Sequence, residues 1–140
     1  MSSLIRVVLD TNIVLSSVSR RSPYHAILQQ LFDGKYDLYL TNDILLEYEE
    51  KITQIFDRET AETNIGALML LQNAYKVDTY FQLRLIYHDL DDNKFADCAF
   101  AANAHYLVTN DRDFRILKSL PFPKFNVVSI GEFLEIVQHL

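Results

Sequence analysis

The chain has 140 residues, 49% of them apolar, with three glycines, three prolines and a formal net charge of −6. That is enough apolar content for one packed domain over residues 1–140, and too little Gly and Pro for linkers or disorder. No apolar run approaches the roughly 18 residues of a membrane span, and Cys98 is the only cysteine, so no intrachain disulfide can form.

In chain order, residues 4–9 form a short apolar run broken by one Arg, like a buried strand, with no signal-peptide layout before it. Ser22-Pro23 predicts a helix start, Ala26, Ile27, Leu28, Leu31 and Phe32 carry helical spacing, and Gly34 is placed to end that helix. A second strand is expected over Asp37–Leu40. Thr41 or Asn42 can cap the next helix, with Ile44, Leu45, Tyr48, Ile52, Ile55 and Phe56 on one side. A helix follows over about residues 59–73, with Ala67, Leu68, Leu70 and Leu71 as its apolar content. Lys76–Tyr80 is expected as a short strand and residues 81–91 as a loop. Asp92–Ala104 is Ala-rich and helical, Tyr106–Thr109 a strand, Asp111–Lys118 a short helix, and Phe125–Val128 the last strand. Ser129 with Glu132 forms a capping box for a C-terminal helix reaching His139. Strands alternating with helices favour a parallel sheet covered on both faces, an α/β fold.

Asp10, Glu47, Asp92, Asp111 and Asp113 stand at the strand-to-loop junctions of this pattern or just inside its helices. Each alone has an ordinary role: ending a strand, capping a helix, or sitting on a solvated face. Ligands in open parallel sheets sit beyond the carboxyl ends of strands, where strand order reverses. If the first strand neighbours the Tyr106–Thr109 strand, Asp10 and Asp111 meet at that edge, with Thr109 and Asn12 as flanking hydrogen-bond partners. Gathered acids raise one another's pKa and need a counter-charge, usually a divalent ion. Oxygen ligands favour Mg²⁺ or Mn²⁺, which suits phosphodiester hydrolysis with one or two ions, about 3.5–4 Å apart if two. His25, His88, His105 and His139 have no zinc-ligand spacing. Cys98, inside the Ala-rich helix, reads as a small buried hydrophobe. There is no glycine-rich phosphate loop and no nucleophile elbow.

The acidic balance is the wrong sign for non-specific nucleic-acid binding, yet it does not exclude nucleic acid as a substrate. Arg20, Arg21, Lys35, Arg112, Arg115 and Lys118 are candidates for local basic patches, although each alone reads as surface charge.

Four segments occur in a telling order: Val8-Leu-Asp10-Thr-Asn12-Ile-Val-Leu15, the Leu46-Glu47 helix, Asp91-Asp92-Asn-Lys94-Phe-Ala-Asp97-Cys-Ala99, and Leu107-Val-Thr109-Asn-Asp111-Arg-Asp113-Phe114. Together they resemble the PIN domain over nearly the whole chain, and more closely its branch of toxin–antitoxin toxins. The resemblance implies a three-layer α/β/α sandwich with a central parallel sheet and a ribonuclease using Mg²⁺ or Mn²⁺. It implies Asp10, Glu47, Asp92 and Asp111 as metal-binding, catalytic acids and Asp113 as an accessory ligand. Asn12, Lys94, Asp97 and Thr109 become supporting residues around them. Lys94 is placed either to meet a phosphate or to tether a neighbouring carboxylate. Asn110 stands where the family often has Gly, and Asn accepts left-handed backbone comparatively well. The implied partners are an RNA substrate, an antitoxin protein and a second copy of the chain. From the lone cysteine and the lack of a membrane-length run, the expected compartment is the cytoplasm, with no membrane partner.

Two other enzyme-like readings fit less well. A phosphoacceptor signalling domain needs a Lys after the last strand, where this chain has Ser129-Ile-Gly-Glu132, and a phosphatase needs Asp-x-Asp where this chain has Asp10-Thr-Asn12. The non-enzyme alternative is a scaffold that kept the fold and lost the chemistry.

Overall fold

Val7, Val8 and Leu9 are apolar on both sides of the backbone, a pattern that suits an inner strand. In the computed structural model β1 (Arg6–Leu9) takes that place, and all three side chains are inaccessible to solvent. The structure describes residues 3–79, 83–84, 92–121 and 123–140. β1 pairs with β2 (Asp37–Leu40) on one side and with β4 (Tyr106–Val108) on the other. β3 (Ala74–Lys76) and β5 (Val127–Val128) complete a five-stranded parallel sheet in the order β3-β2-β1-β4-β5. Strand order therefore reverses between β1 and β4, as the expected site requires.

Seven helices flank this sheet among the described residues: α1 (Thr11–Val18), α2 (His25–Phe32), α3 (Asn42–Ile55), α4 (Arg58–Leu70), α5 (Asn93–Ala102), α6 (Arg115–Lys118) and α7 (Ile130–Gln138). The result is the anticipated α/β/α sandwich. α5 lies on β1, β2 and β4. The Phe133 ring of α7 meets Tyr36 edge-on, with centroids 5.3 Å apart, and also packs near Tyr106. None of these helices is long and apolar enough to cross a membrane.

Local chemistry explains most of the boundaries. Gly34, at φ +77°, takes the left-handed conformation that stops α2, and Lys35 N–H closes back on the Gln30 carbonyl. Thr41 caps α3 by accepting the Ile44 N–H, and Asp57 caps α4 by accepting the Thr60 N–H. Asn103, at φ +49°, ends α5. Ser129 and Glu132 form the reciprocal capping box of α7.

Several expectations shift. α1 has no counterpart in the residue pattern, because Ile13, Val14 and Val18 are β-branched and Ser16 and Ser17 are weak helix formers. It forms because Ile13, Val14 and Ser17 are buried there. α2 begins at His25 rather than at Pro23. The Ser22 hydroxyl is occupied in the preceding turn, accepting from Tyr24 N–H and donating to the Ser16 carbonyl. β3 spans Ala74–Lys76 instead of Lys76–Tyr80, because the Asn73 side chain donates to the Leu31 and Tyr36 carbonyls and fixes the strand start early. Tyr80 and most of the loop expected over 81–91 lie outside the described residues. Ile55, Phe56 and Leu70 are exposed rather than core.

Replacing Ser129 by Ala removes one half of the capping box. The expected loss is about 1 kcal/mol of stability, read as a lower urea midpoint with an unchanged slope.

Candidate metal centre

Asp10 directly follows β1, and its N–H continues the ladder to the Val108 carbonyl at 3.0 Å. The sheet register therefore carries its carboxylate to the end of β4. There the Thr109 hydroxyl donates to Asp10 Oδ2 at 2.7 Å and accepts the Asp111 N–H at 3.0 Å. Asp111 in turn accepts the Asp113 N–H on Oδ1 at 2.9 Å, which winds residues 112–114 into a 3₁₀ turn. Asp92 stands immediately before α5 and makes no side-chain capping bond to it. The positive end of that helix favours a carboxylate there.

These constraints bring Asp92, Asp111 and Asp113 together, each offering a carboxylate oxygen within 4.8 Å of the others, all three partly exposed. Asp10 and Glu47 lie outside that trio but close enough to be felt. The charges of Asp111 and Glu47 both act on Asp10. Burial is the main force pushing the Asp10 carboxyl above its ordinary value, and the Thr109 hydroxyl and Thr11 N–H oppose it.

Glu47 arrives from α3. Its neighbour Tyr48 is fully buried and donates its hydroxyl to the Leu9 carbonyl at 2.5 Å, so α3 is fastened to the residue before Asp10. Glu47 itself is held on both oxygens. Lys94 Nζ donates to Oε1 at 2.6 Å, and the Thr11 hydroxyl donates to Oε2.

A family profile described as the PIN domain matches residues 6–113. This chain belongs to the PIN-domain family. No curated protein matches the chain. Among solved structures, this PIN domain is similar in fold to VapBC2 from Rickettsia felis bound to a promoter DNA fragment (TM-score 0.59, 19% identity, 89% of this chain and 98% of that one). It is also similar to VapC20 of Mycobacterium tuberculosis, described as a sarcin–ricin loop cleaving toxin (TM-score 0.58, 15% identity, 77% and 92%). PAE2754 from Pyrobaculum aerophilum aligns over the full length of both chains (TM-score 0.61, 12% identity).

The remaining expected site residues of the PIN domain divide in two. Thr109 sits between Asp10 and Asp111, and Lys94 tethers a carboxylate, one of its two anticipated roles. Asn12 is exposed on the first turn of α1. Asp97 accepts the Leu83 N–H at 3.0 Å and anchors that segment. Asn110 does not use left-handed backbone. Its side chain accepts the Ile130 N–H at 2.9 Å and ties the site loop to α7. Residue patterning gave no role to Thr11, and to Tyr48 only a place in an apolar stripe. Their only signal is adjacency, Thr11 beside Asp10 and Tyr48 beside Glu47. Cys98 is buried as expected, and burial pushes its thiol up to about 12.

Two outcomes follow for the metal-free protein. The folded state holds the Asp10 proton more tightly than the unfolded chain does, so ionising Asp10 weakens the fold as pH rises above the ordinary value of 3.8. Asp10→Asn should therefore raise the melting temperature in EDTA at neutral pH, and the gain should fade as pH falls toward 3.8. Tyr48→Phe strips the Leu9 carbonyl of a buried donor and should cost about 1–2 kcal/mol in denaturant unfolding.

Proposed function

We propose that this PIN domain is a metal-dependent endoribonuclease and the toxin of a toxin–antitoxin module. The observation that carries the proposal is the convergence of Asp92, Asp111 and Asp113, with Asp10 alongside, at the point where strand order reverses. The fold likeness to VapBC2 and VapC20 supports the toxin assignment and RNA as substrate. The alternative of a scaffold without chemistry gains nothing from this geometry, since none of the principal acids is missing.

The donors are all carboxylate oxygens, a hard set that fits Mg²⁺ or Mn²⁺. Asp92, Asp111 and Asp113 would hold the ion, with Asp10 and Glu47 beside them. When bound, the ion supplies Lewis-acid polarisation of a phosphate and a more acidic water. The chain's own groups do the rest. Thr109 fixes the orientation of Asp10, Thr11 and Lys94 fix Glu47, and no side chain need act as a covalent nucleophile. Arg112 and Arg115 are exposed next to Asp111 and Asp113, where they can draw a phosphate backbone past an otherwise acidic surface. Leu46, Ile55, Met69 and Leu70 leave apolar side chains exposed on α3 and α4, which supports a protein partner, an antitoxin or a second copy. The proposed compartment is the cytoplasm.

Purified protein incubated with a pool of cellular RNA should cut it in Mg²⁺ or Mn²⁺ and not in EDTA, and mapping the new ends identifies the target. Asp10→Asn should depress both metal affinity and cleavage while the fold persists. Undiminished metal-dependent cleavage by that variant would refute the site. Millimolar Mn²⁺ should also raise the melting temperature by linkage, and Asp10→Asn with Asp92→Asn should abolish the rise. The absence of any rise in the unmodified chain would favour the scaffold.

A further inference from the structure

We propose that Lys94 takes the place of a second cation, so that this centre binds one divalent ion, on Asp92, Asp111 and Asp113, with the lysine ammonium as its fixed companion on Glu47. The proposal rests on the metal centre described above and concerns how many ions it takes.

Three observations carry it. First, the acids divide into two groups. The trio of Asp92, Asp111 and Asp113 can share an ion, whereas Glu47 has both oxygens engaged, one by the Lys94 ammonium at 2.6 Å and one by the Thr11 hydroxyl. Asp10, nearest to both groups in its electrostatics, has Oδ2 committed to Thr109. Second, the Lys94–Glu47 pair is sheltered. Each side chain is only 23% exposed, so the pair is less screened than an ordinary surface ion pair. Third, Lys94 lies in the first turn of α5, two residues after Asp92, where the helix dipole disfavours a positive charge. Helix stability does not account for a lysine at that position, but an adjacent carboxylate does. Glu47 is the only hydrogen-bond partner of its ammonium among the described residues.

The local charge is then largely offset. Glu47 and Lys94 cancel, and one divalent ion leaves the trio with a single negative charge. A second ion on Glu47 would have to displace the ammonium or sit against it, and like charges at that range repel strongly in a partly shielded site. An ammonium held this way has two further N–H donors, enough to meet a phosphate oxygen, and a chelator cannot remove it.

The test counts ions. Mn²⁺ bound to the full chain is measured by loss of the free-ion electron paramagnetic resonance signal, alongside circular dichroism to verify folding. The unmodified chain should bind one Mn²⁺. Lys94→Gln should bind two, because Glu47 is released, and Lys94→Arg, which keeps the charge, should return the count to one. Two ions in the unmodified chain would overturn the proposal while leaving the metal centre intact, and that result needs no variant. One ion in both the unmodified chain and Lys94→Gln would also overturn it. No bound Mn²⁺ at all would remove the metal centre itself and this inference with it.

Discussion

One hydroxyl joins the two strands on which the site depends. Thr109 donates to Asp10 at the end of β1 and receives the Asp111 backbone at the end of β4. The two strands are neighbours in the sheet, yet each leads away from the other into its own crossover, which leaves a crevice between them. Without a short polar side chain in that crevice, two carboxylates would face each other across it with nothing to set their distance. Thr109 does so from a backbone already fixed by its own N–H bond to Val128.

The surrounding devices answer the same electrostatic difficulty in different ways. Asp92 is placed at the positive end of α5. Glu47 receives a lysine and a threonine. Asp111 is turned by the backbone of Asp113. Asp10 receives the Thr109 hydroxyl and the Thr11 N–H, yet burial still pushes its carboxyl above the ordinary value. A fold selected for stability alone would not keep such a group in such a place. The cost is local, because Val7, Val8 and Leu9 of the strand that carries it are apolar and closed to solvent.

Much of this architecture could be read from residue chemistry because it is decided within a few positions. Asp37–Leu40 is bounded by Gly34 and Thr41, so the second strand was legible to the residue, and Ser129 with Glu132 announced the last helix. What escaped was decided at a distance. α1 is helical through burial against propensity, and Asn73 moves β3 by bonding to carbonyls near the end of α2 and just before β2, 42 and 37 positions earlier in the chain. Ile55, Phe56 and Leu70 fit a helical stripe and still face solvent, because a stripe says which side is apolar and not how far the cover extends. The site divides in the same way. Asp10, Asp92 and Asp111 stood out by their positions at element ends, and Glu47 by its place one turn into a helix. The partners of Glu47, and the work done by Asn110, depend on side chains from elements far apart in the chain.

The bond between Thr109 and Asp10 spans 99 positions. β1 is made first and stays half-covered until β4 arrives, since its second neighbour is encoded so late. A chain emerging from the ribosome therefore carries Asp10 and Glu47 long before it carries Lys94, Thr109 and Asp111. Synthesis interrupted upstream of β4 leaves β1 with one edge unpaired, so the crevice between the two strands exists only once β4 has been made.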